Sequence, residues 1–525
     1  VILAVQIPTM EARPMKVRTF LAAVGRLFAM VIAAAACCAT PALGQMGGMM
    51  GGGGGMMGGG GGMMGGGGGM MGGGGGMMSG GGMMGGGGMM GGGGMMGGGA
   101  GGVFVDANGV LQNKTVRDAG LAAEHRQAAL APLPGDLRKA SKLRKVALSR
   151  MEAKLLQAAA AGKGIPQEFL TLAGLTRIQY VFVYPAADGR AGEIVVAGPA
   201  EPWFVDANGR VRGLDTGSPT LLLEDLLAVL RGFAPGQPQD RLLGCSIDPT
   251  KEGLAAMQDF LRKTGRVNPQ GGPDAIVAGL VRSLGHQTVS VQGVSPKTHF
   301  AAVMVEADYR MKLIGIGLER PPVAMKSWID LASAGSIAAN ALQRWYFVPD
   351  YKCIRVSADD LAMELVGQGV KLSCADEVVL PDGRRLDANK ASGASKQFTD
   401  TFTRKYAEIA ARSPVFAQLR NLIDLSVVAA FLQEHDAYGR VGWNAAGLRD
   451  EKKLAIERFN APEKVEPAIN AVWRQNRLLT PIGGGVMVQP RMALDPANVL
   501  PDEHGEVGKA YGTAATLPAD RWWWE

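Results

Sequence analysis

The chain has 525 residues, among them 78 glycines and 28 methionines, and a formal net charge of +7. Arg13, Lys16, Arg18 and Arg26 stand against Glu11 alone within positions 1–44, and without that stretch the net charge falls to +4. So small a balance excludes the concentrated basic face of a nucleic-acid binder, and no nucleic-acid partner is expected.

The first 44 residues read as a secretory signal peptide. Met15-Lys16-Val17-Arg18 supplies a positive n-region, Leu27–Cys38 an unbroken apolar run, and Ala42-Leu43-Gly44 small residues at the −3 and −1 positions, with cleavage before Gln45. Met15 is the expected start. The apolar run is shorter than the roughly 20 residues a membrane span needs, so no transmembrane span is expected after cleavage. An uncleaved anchor, or acylation at Cys37 or Cys38, are the alternatives. Export to the periplasm or the exterior follows.

Residues 45–102 are almost only glycine and methionine. Methionine pairs recur every seven and then every six residues, as at 49–50, 56–57 and 63–64. A seven-residue apolar period suits a coiled coil only if the backbone can be helical. Each glycine costs about 1 kcal/mol relative to alanine in a helix, so the tract is expected to be a disordered linker spanning roughly 40 Å. Three uses are open for it. It can be a solvated spacer, or an adhesive segment of flexible thioethers. It can also be a soft-metal trap, in which Met56, Met57, Met63, Met64, Met70 and Met71 offer sulfur to Cu(I). No other cofactor is expected.

Composition changes at Val103, and the remainder patterns as α+β: mixed helices with antiparallel and mixed sheets. We divide it into 103–270, 271–490 and a tail, 491–525. Asp118–Ala161 is expected to be helical, with Leu137–Ala161 its clearest part. Arg177–Pro185 and Gly192–Glu201 read as paired strands about an Asp188-Gly189 turn. VFVDANGV from Val103 and WFVDANGRV from Trp203 echo one another as strand–turn–strand, with Asn-Gly expected to supply positive φ. Helices are expected over Pro219–Arg231, Asp248–Lys263 (Asp248 capping) and Asp274–Leu284, and a strand over Gln287–Gln292. Ser295-Pro296 opens a helix with Phe300, Met304, Ala307 and Met311 on one face and a Glu306–Arg310 pair. His299 falls on its polar side, where a surface histidine is expected, and Lys312–Leu318 is expected to run into a strand. Further strands are expected over Arg344–Val348, Ile354–Val356, Leu361–Val366 and Val370–Cys374. Gln397–Ala411 and Val415–Gln433 follow as a helical pair, the second buried and carrying an Arg420–Asp424 pair. Gly483-Gly484-Gly485 precedes a short strand, and Trp522-Trp523-Trp524 is expected to dock on the domain.

Catalytic signatures are missing. There is no nucleophile elbow, zinc helix or phosphate loop. Lys263-Thr264-Gly265 matches one motif of penicillin-interacting serine enzymes, but no SxxK accompanies it and it closes a helix. His125, His286, His299, His435 and His504 are scattered, and no Cys/His spacing suggests zinc. Cys245, Cys353 and Cys374 remain after cleavage. Cys353 and Cys374, in neighbouring expected strands, are the disulfide candidate, and three buried thiols the alternative.

Together RIQYVFVYP, GEIVVAGPAE, CSIDPTKEGL, VEADYRMKLIGIGLE, RWYFVPDY and SPVFAQLRNLIDL resemble an exported family of unknown function found chiefly in planctomycete bacteria. The resemblance runs from about Gly162 to Gln489 and implies export, without a reaction or cofactor. Within it Asp308, Tyr309, Arg310, Lys312, Arg344, Trp345 and Tyr346 stand out as core support or a binding groove. The expected function is that of a non-enzymatic envelope or cell-surface protein with a protein partner there. An exported enzyme, such as a hydrolase with a site assembled from distant residues, and a Cu(I)-binding protein are the alternatives.

Overall fold

The computed structural model describes residues 103–525 except 107, 114–128, 163, 188–190, 237–240, 265–273, 333–340, 381, 383, 388–390, 461, 471, 475–476, 480–482, 514–517 and 519–520. The expected leader, the Gly–Met tract with its six candidate copper ligands, and His125 lie outside the described residues. The fold is α+β.

Strands β1 (Val103–Val105) and β2 (Val110–Asn113) form the first hairpin. Strand β3 (Ser141–Ala147) leads into helix α1 (Leu148–Ala160). Strands β4 (Tyr180–Tyr184) and β5 (Glu193–Ala200) pair antiparallel as expected, and β6 (Trp203–Val205) and β7 (Val211–Gly213) form the echoing hairpin. The two echoing turns are built alike. Asp106 Oδ1 accepts from the amides of Asn108 (2.8 Å) and Val110 (3.0 Å), and Asp206 Oδ1 from those of Asn208 (2.9 Å) and Arg210 (3.0 Å). Gly109 and Gly209 take the left-handed conformation, at φ 74° and 78°, and donate to Asp106 O (3.1 Å) and Asp206 O (2.9 Å). Each is therefore a four-residue turn closed by a left-handed glycine, not the two-residue turn expected from Asn-Gly.

The expected helix over Leu137–Ala161 is only half helix. Gly135–Arg138 is a 3-10 turn and β3 replaces the next turns. Lysine, arginine and leucine are good helix formers, but intrinsic propensity differs by only tenths of a kcal/mol per residue, and tertiary pairing outweighs it. β3 is held between β5 and the C-terminal strand, and its Arg144 is fully buried, donating to Ala173 O (2.7 Å) and Glu525 Oε1 (2.6 Å).

Helix α2 (Leu223–Gly232) is followed by β8 (Leu243–Asp248), α3 (Lys251–Thr264), α4 (Asp274–Leu284), β9 (Gln287–Gln292) and α5 (His299–Gly315). Thr250, not Asp248, caps α3: its Oγ1 accepts from Gly253 N at 3.0 Å, while Asp248 pairs with Arg344 at 2.8 Å. The expected strand over Lys312–Leu318 is absent, because α5 continues through Gly315. Next come β10 (Ala341–Pro349), β11 (Ile354–Val356), β12 (Ala362–Leu365), β13 (Val370–Val379) and β14 (Arg385–Asp387). The expected helix Gln397–Ala411 is two helices, α6 (Gly393–Arg404) and α7 (Tyr406–Arg412), and α8 (Pro414–Glu434) follows. Last are β15 (Lys464–Val465), β16 (Val472–Arg474), β17 (Arg477–Leu479), β18 (Gly483–Val488), α9 (Glu506–Thr513) and β19 (Trp523–Trp524).

Two large sheets result. One is mixed, in the order β1-β2-β15-β9-β8-β18-β10-β13-β14; the other is antiparallel, in the order β11-β12-β4-β5-β3-β19. Both draw strands from either side of residue 270. The glycine triplet lies inside β18, between β8 and β10. A Cβ on Gly484 would stand 2.2 Å from Trp345 O and 3.0 Å from Lys312 Cε, and one on Gly485 2.3 Å from Cys245 O. A Cβ on Gly483 would stand 2.8 Å from Arg344 Cγ, so that glycine leaves room for Arg344 to reach Asp248 on β8.

α5 packs on β8 and β18, and α8 packs on α5. Across its other side α8 meets the antiparallel sheet: Asp424 accepts from Arg177 Nε at 2.8 Å and Asn421 donates to Thr176 O at 3.0 Å. The expected Arg420–Asp424 pair is thus replaced, and Arg420 donates to Gln368. α8 has the length and hydropathy of a membrane span, yet 94% of its most apolar window is buried within the protein. The three tryptophans dock as expected. Trp522 stacks on Phe169 at 4.5 Å and Trp523 pairs with Val146 of β3. Gly484→Ala should lower stability by about 1–3 kcal/mol through overpacking, read as a lower urea midpoint with an unchanged m-value.

Candidate functional site

Helices α2, α5 and α8 and the β6–β7 turn converge on one buried polar cluster. His299 is the first residue of α5, whose Thr298 cap accepts from Ala301 N at 3.2 Å. Asp225 and Glu224 sit in the first turn of α2, Gln418 in the first turns of α8, and Arg210 leaves the clamped β6–β7 turn.

His299 Nδ1 lies 2.9 Å from Asp225 Oδ2 and 3.0 Å from Oδ1. Its Nε2 faces Gln418 Nε2 at 3.4 Å, and Gln418 Oε1 accepts from Arg210 Nη1. Arg210 Nη2 donates to both oxygens of Glu306, at 2.5 and 2.7 Å. Arg310 touches Glu306 at 3.6 Å and binds Glu319 at 2.6 Å. These contacts set a direction. With Oε1 turned to Arg210, the Gln418 amide donates to Nε2, so the neutral ring donates from Nδ1 to Asp225. Burial pushes the His299 pKa down, but the charge and hydrogen bond of Asp225, with Glu224 behind, push it further up, so it ends raised. Burial raises the Glu306 carboxyl despite Arg210 and Arg310.

Arg210, His299 and Gln418 of this cluster, with Glu224, line a cavity of about 210 Å³. Leu170, Leu223, Leu227, Leu454, Ile456 and Phe459 provide much of the apolar wall, and Glu224, His299, Gln418 and Arg458 the polar part. The stretch 454–459 has no regular structure and closes one side. It is pinned by Arg231 donating to Leu454 O (2.5 Å) and by Phe459 N donating to Lys297 O (3.0 Å). Glu224 and Arg458 influence one another electrostatically but form no ion pair. Burial, followed by Asp225, raises the Glu224 pKa, against the pull of His299 and Arg458.

His299 is therefore not a surface histidine; it is 7% exposed, because α5 is enclosed by sheet and helices on every side. His299, Glu306 and Arg310, seven and eleven positions apart, share a face of α5, and that stripe in an apolar helix was the available signal. Glu306 has Arg210 as its close partner, which spacing along the helix could not reveal. Asp308 and Lys312 belong to another cluster. Lys312 Nζ donates to Asp308 Oδ2 (2.8 Å) and Ile247 O (3.0 Å), and burial lifts Asp308 to about 6 although Lys312 pulls it down. Arg344 joins Glu377 (2.9 Å) to Asp248 (2.8 Å) with its guanidinium 5.3 Å from the Tyr346 ring centroid. Trp345 is buried between Trp328 and Phe398. These residues are core support, and Tyr309 is partly buried against the same core.

The Cys353–Cys374 bridge is not formed. Cys353 is a free, buried thiol beside β11 of the antiparallel sheet, whereas Cys374 lies in β13 of the mixed sheet and accepts from Thr399. The two stretches are close in sequence but diverge into separate sheets. His286 and His504 are exposed, and His435 lies 3.5 Å from Asp360. Among the described residues no group of three His, Cys, Asp or Glu side chains could hold a metal ion.

Residues 245–328 match the model of a family described as a protein of unknown function, DUF1598. The match spans β8 to Trp328, and so contains His299, Glu306 and Arg310 but not Arg210, Asp225 or Gln418. No curated protein and no solved structure matches the chain.

Because its folded pKa is raised, the His299 charge stabilises the fold fully below the ordinary value of 6.5, and this contribution is lost as pH rises through the folded value. His299→Gln should therefore cost about 1.5–3 kcal/mol in acid and clearly less in alkaline buffer. Urea titrations of both proteins from mildly acidic to alkaline pH measure the difference.

Proposed function

We propose that this chain is an exported, non-enzymatic envelope or surface protein that binds a small, largely apolar solute in the cavity beside His299. The observation that carries this is the cavity itself: about 210 Å³, with leucine, isoleucine, valine and phenylalanine in its apolar wall and a few polar groups, among them Arg210, Glu224, His299, Gln418 and Arg458. An apolar cavity of about 150 Å³ suffices for benzene. Small-molecule sites commonly combine an apolar lining with a few placed polar groups. The three-part leader supports export, as does the resemblance to exported planctomycete proteins over about 162–489. The Gly–Met tract then serves as an arm between the envelope and the binding domain.

An acid–base enzyme is the second reading, and the Asp225–His299 pair beside Glu224 favours it. Against it, Nε2 of His299 already faces Gln418. The described lining residues include no serine or cysteine, and the Thr171 hydroxyl donates to Gln167 O at 3.0 Å.

Thermal unfolding with isoamyl alcohol or toluene tests the binding reading. At a hundredfold excess over Kd a ligand adds about 2.7 kcal/mol, which should raise Tm by a few degrees. Leu227→Trp, which fills the cavity, should remove that shift. An unmoved Tm for the unsubstituted protein with both solutes would refute it.

A further inference from the structure

Two features of the cavity narrow its ligand, and the inference from them rests on the binding reading above. Glu224 and Arg458 line the same cavity, one on the first turn of α2 and the other on the closing stretch 454–459. They sense each other's charge, yet neither makes a side-chain hydrogen bond or ion pair with a described residue. The other charged groups nearby are satisfied: Asp225 by His299, and Arg210 by Glu306. An acid and a base without a partner among the described residues thus line one cavity from different elements, together with apolar side chains.

We propose that the cavity binds a free aliphatic α-amino acid, its ammonium on Glu224, its carboxylate on Arg458 and its side chain against Leu223, Leu227 and Ile456. Charge complementarity decides the head groups. Glu224 is half-buried, so a monoanion would leave its carboxylate against apolar surface without a partner; Arg458 is exposed, and it adds a second, solvated charge that draws the carboxylate of a ligand whose ammonium meets Glu224. Burying a charge against apolar surface is costly unless it is paired. Volume decides the side chain. Scaling from benzene in a cavity of about 150 Å³, the space of about 210 Å³ holds roughly eight or nine heavy atoms, the size of valine, leucine or isoleucine. Phenylalanine is too large, and glycine leaves the apolar wall unfilled.

Isothermal titration of the full chain with L-leucine, isoamylamine, isovalerate and isoamyl alcohol tests this, since the four share one branched body. L-Leucine should bind tightest; deleting the ammonium, which meets half-buried Glu224, should cost about tenfold or more in Kd, and deleting the carboxylate, which meets exposed Arg458, about two- to fivefold. In Glu224→Gln the gap between leucine and isovalerate should shrink, and in Arg458→Gln the gap between leucine and isoamylamine. L-Phenylalanine and glycine should bind more weakly than leucine. If isoamyl alcohol binds as tightly as leucine, the amino-acid assignment fails while the apolar-solute reading stands. If none of the four binds, both fail. The ligand series on the unsubstituted chain decides the matter even if a variant does not fold.

Discussion

The buried polar cluster beside the cavity depends on one guanidinium, Arg210, which is 6% exposed. Taking an arginine and a carboxylate out of water costs several kcal/mol each, and only close geometry with additional hydrogen bonds offsets it. Arg210 meets that condition through a two-oxygen contact with Glu306 and a further donation to Gln418. Glu306 is fully buried, so it needs this partner to stay charged. The backbone that aims Arg210 is itself fixed. Asp206 accepts from the Arg210 amide, Gly209 turns the chain, and Arg212 clamps the hairpin by donating to Gly217 O at 2.8 Å. The first hairpin uses the same turn but places Val110 at the equivalent position, buried and apolar. One turn design thus serves a structural role in one place and delivers a charge in the other.

From Arg210 the constraint passes outward. Gln418 must turn its carbonyl to the guanidinium, which turns its amide to His299 and fixes the ring's tautomer, which in turn engages Asp225. Each step is a hydrogen bond between separate elements, so the cluster locks α2, α5, α8 and the β6–β7 hairpin in one arrangement. α5 carries charge on two faces. Glu306 and Arg310 meet Arg210 and Glu319, whereas Asp308 and Lys312 look toward β8 and β18, where Gly484 gives them room. A helix that buries so many charges is stable only because each has a partner within reach: Asp225 for His299, Arg210 for Glu306, Glu319 for Arg310, and Asp308 and Lys312 for one another along the helix.

The fold class and many elements were legible, because period-2 and period-3.6 patterns are local. α4 and β9 end where their sequence says, and the apolar character of α8 marks it as buried. What stayed hidden was non-local. β3 looks helical until β5 and β19 flank it. Asp424 has an arginine four residues earlier on its own helix, but its partner is Arg177, 247 positions away. His299 sat on the polar side of an expected surface helix, and nothing local reveals that Asp225, 74 positions earlier, faces it. Glycines 483–485 read as the lead into a strand, but they lie inside it, against neighbouring strand backbone and the Arg344 side chain, which only the sheet order identifies. The cavity was the least legible feature, since its wall is assembled from α2, α5, α8 and the irregular stretch 454–459.

The proposed binding role fits how the groups at this site are engaged. Acid–base catalysis needs a group within reach of a reacting atom and free to exchange a proton with it. Both nitrogens of His299 are engaged, one by Asp225 and one by Gln418, and releasing Nε2 means rotating an amide that Arg210 holds in place. The energy that orients the ring therefore also withholds it. Glu224 is the carboxyl left open to the cavity, and a lone carboxyl between leucines can discriminate strongly, because an unpaired charge there is penalised and a matched one is not. The same walls that deny a nucleophile thus provide selectivity, and the pinned stretch 454–459 supplies Leu454 and Ile456 to the apolar side while leaving Arg458 at the rim.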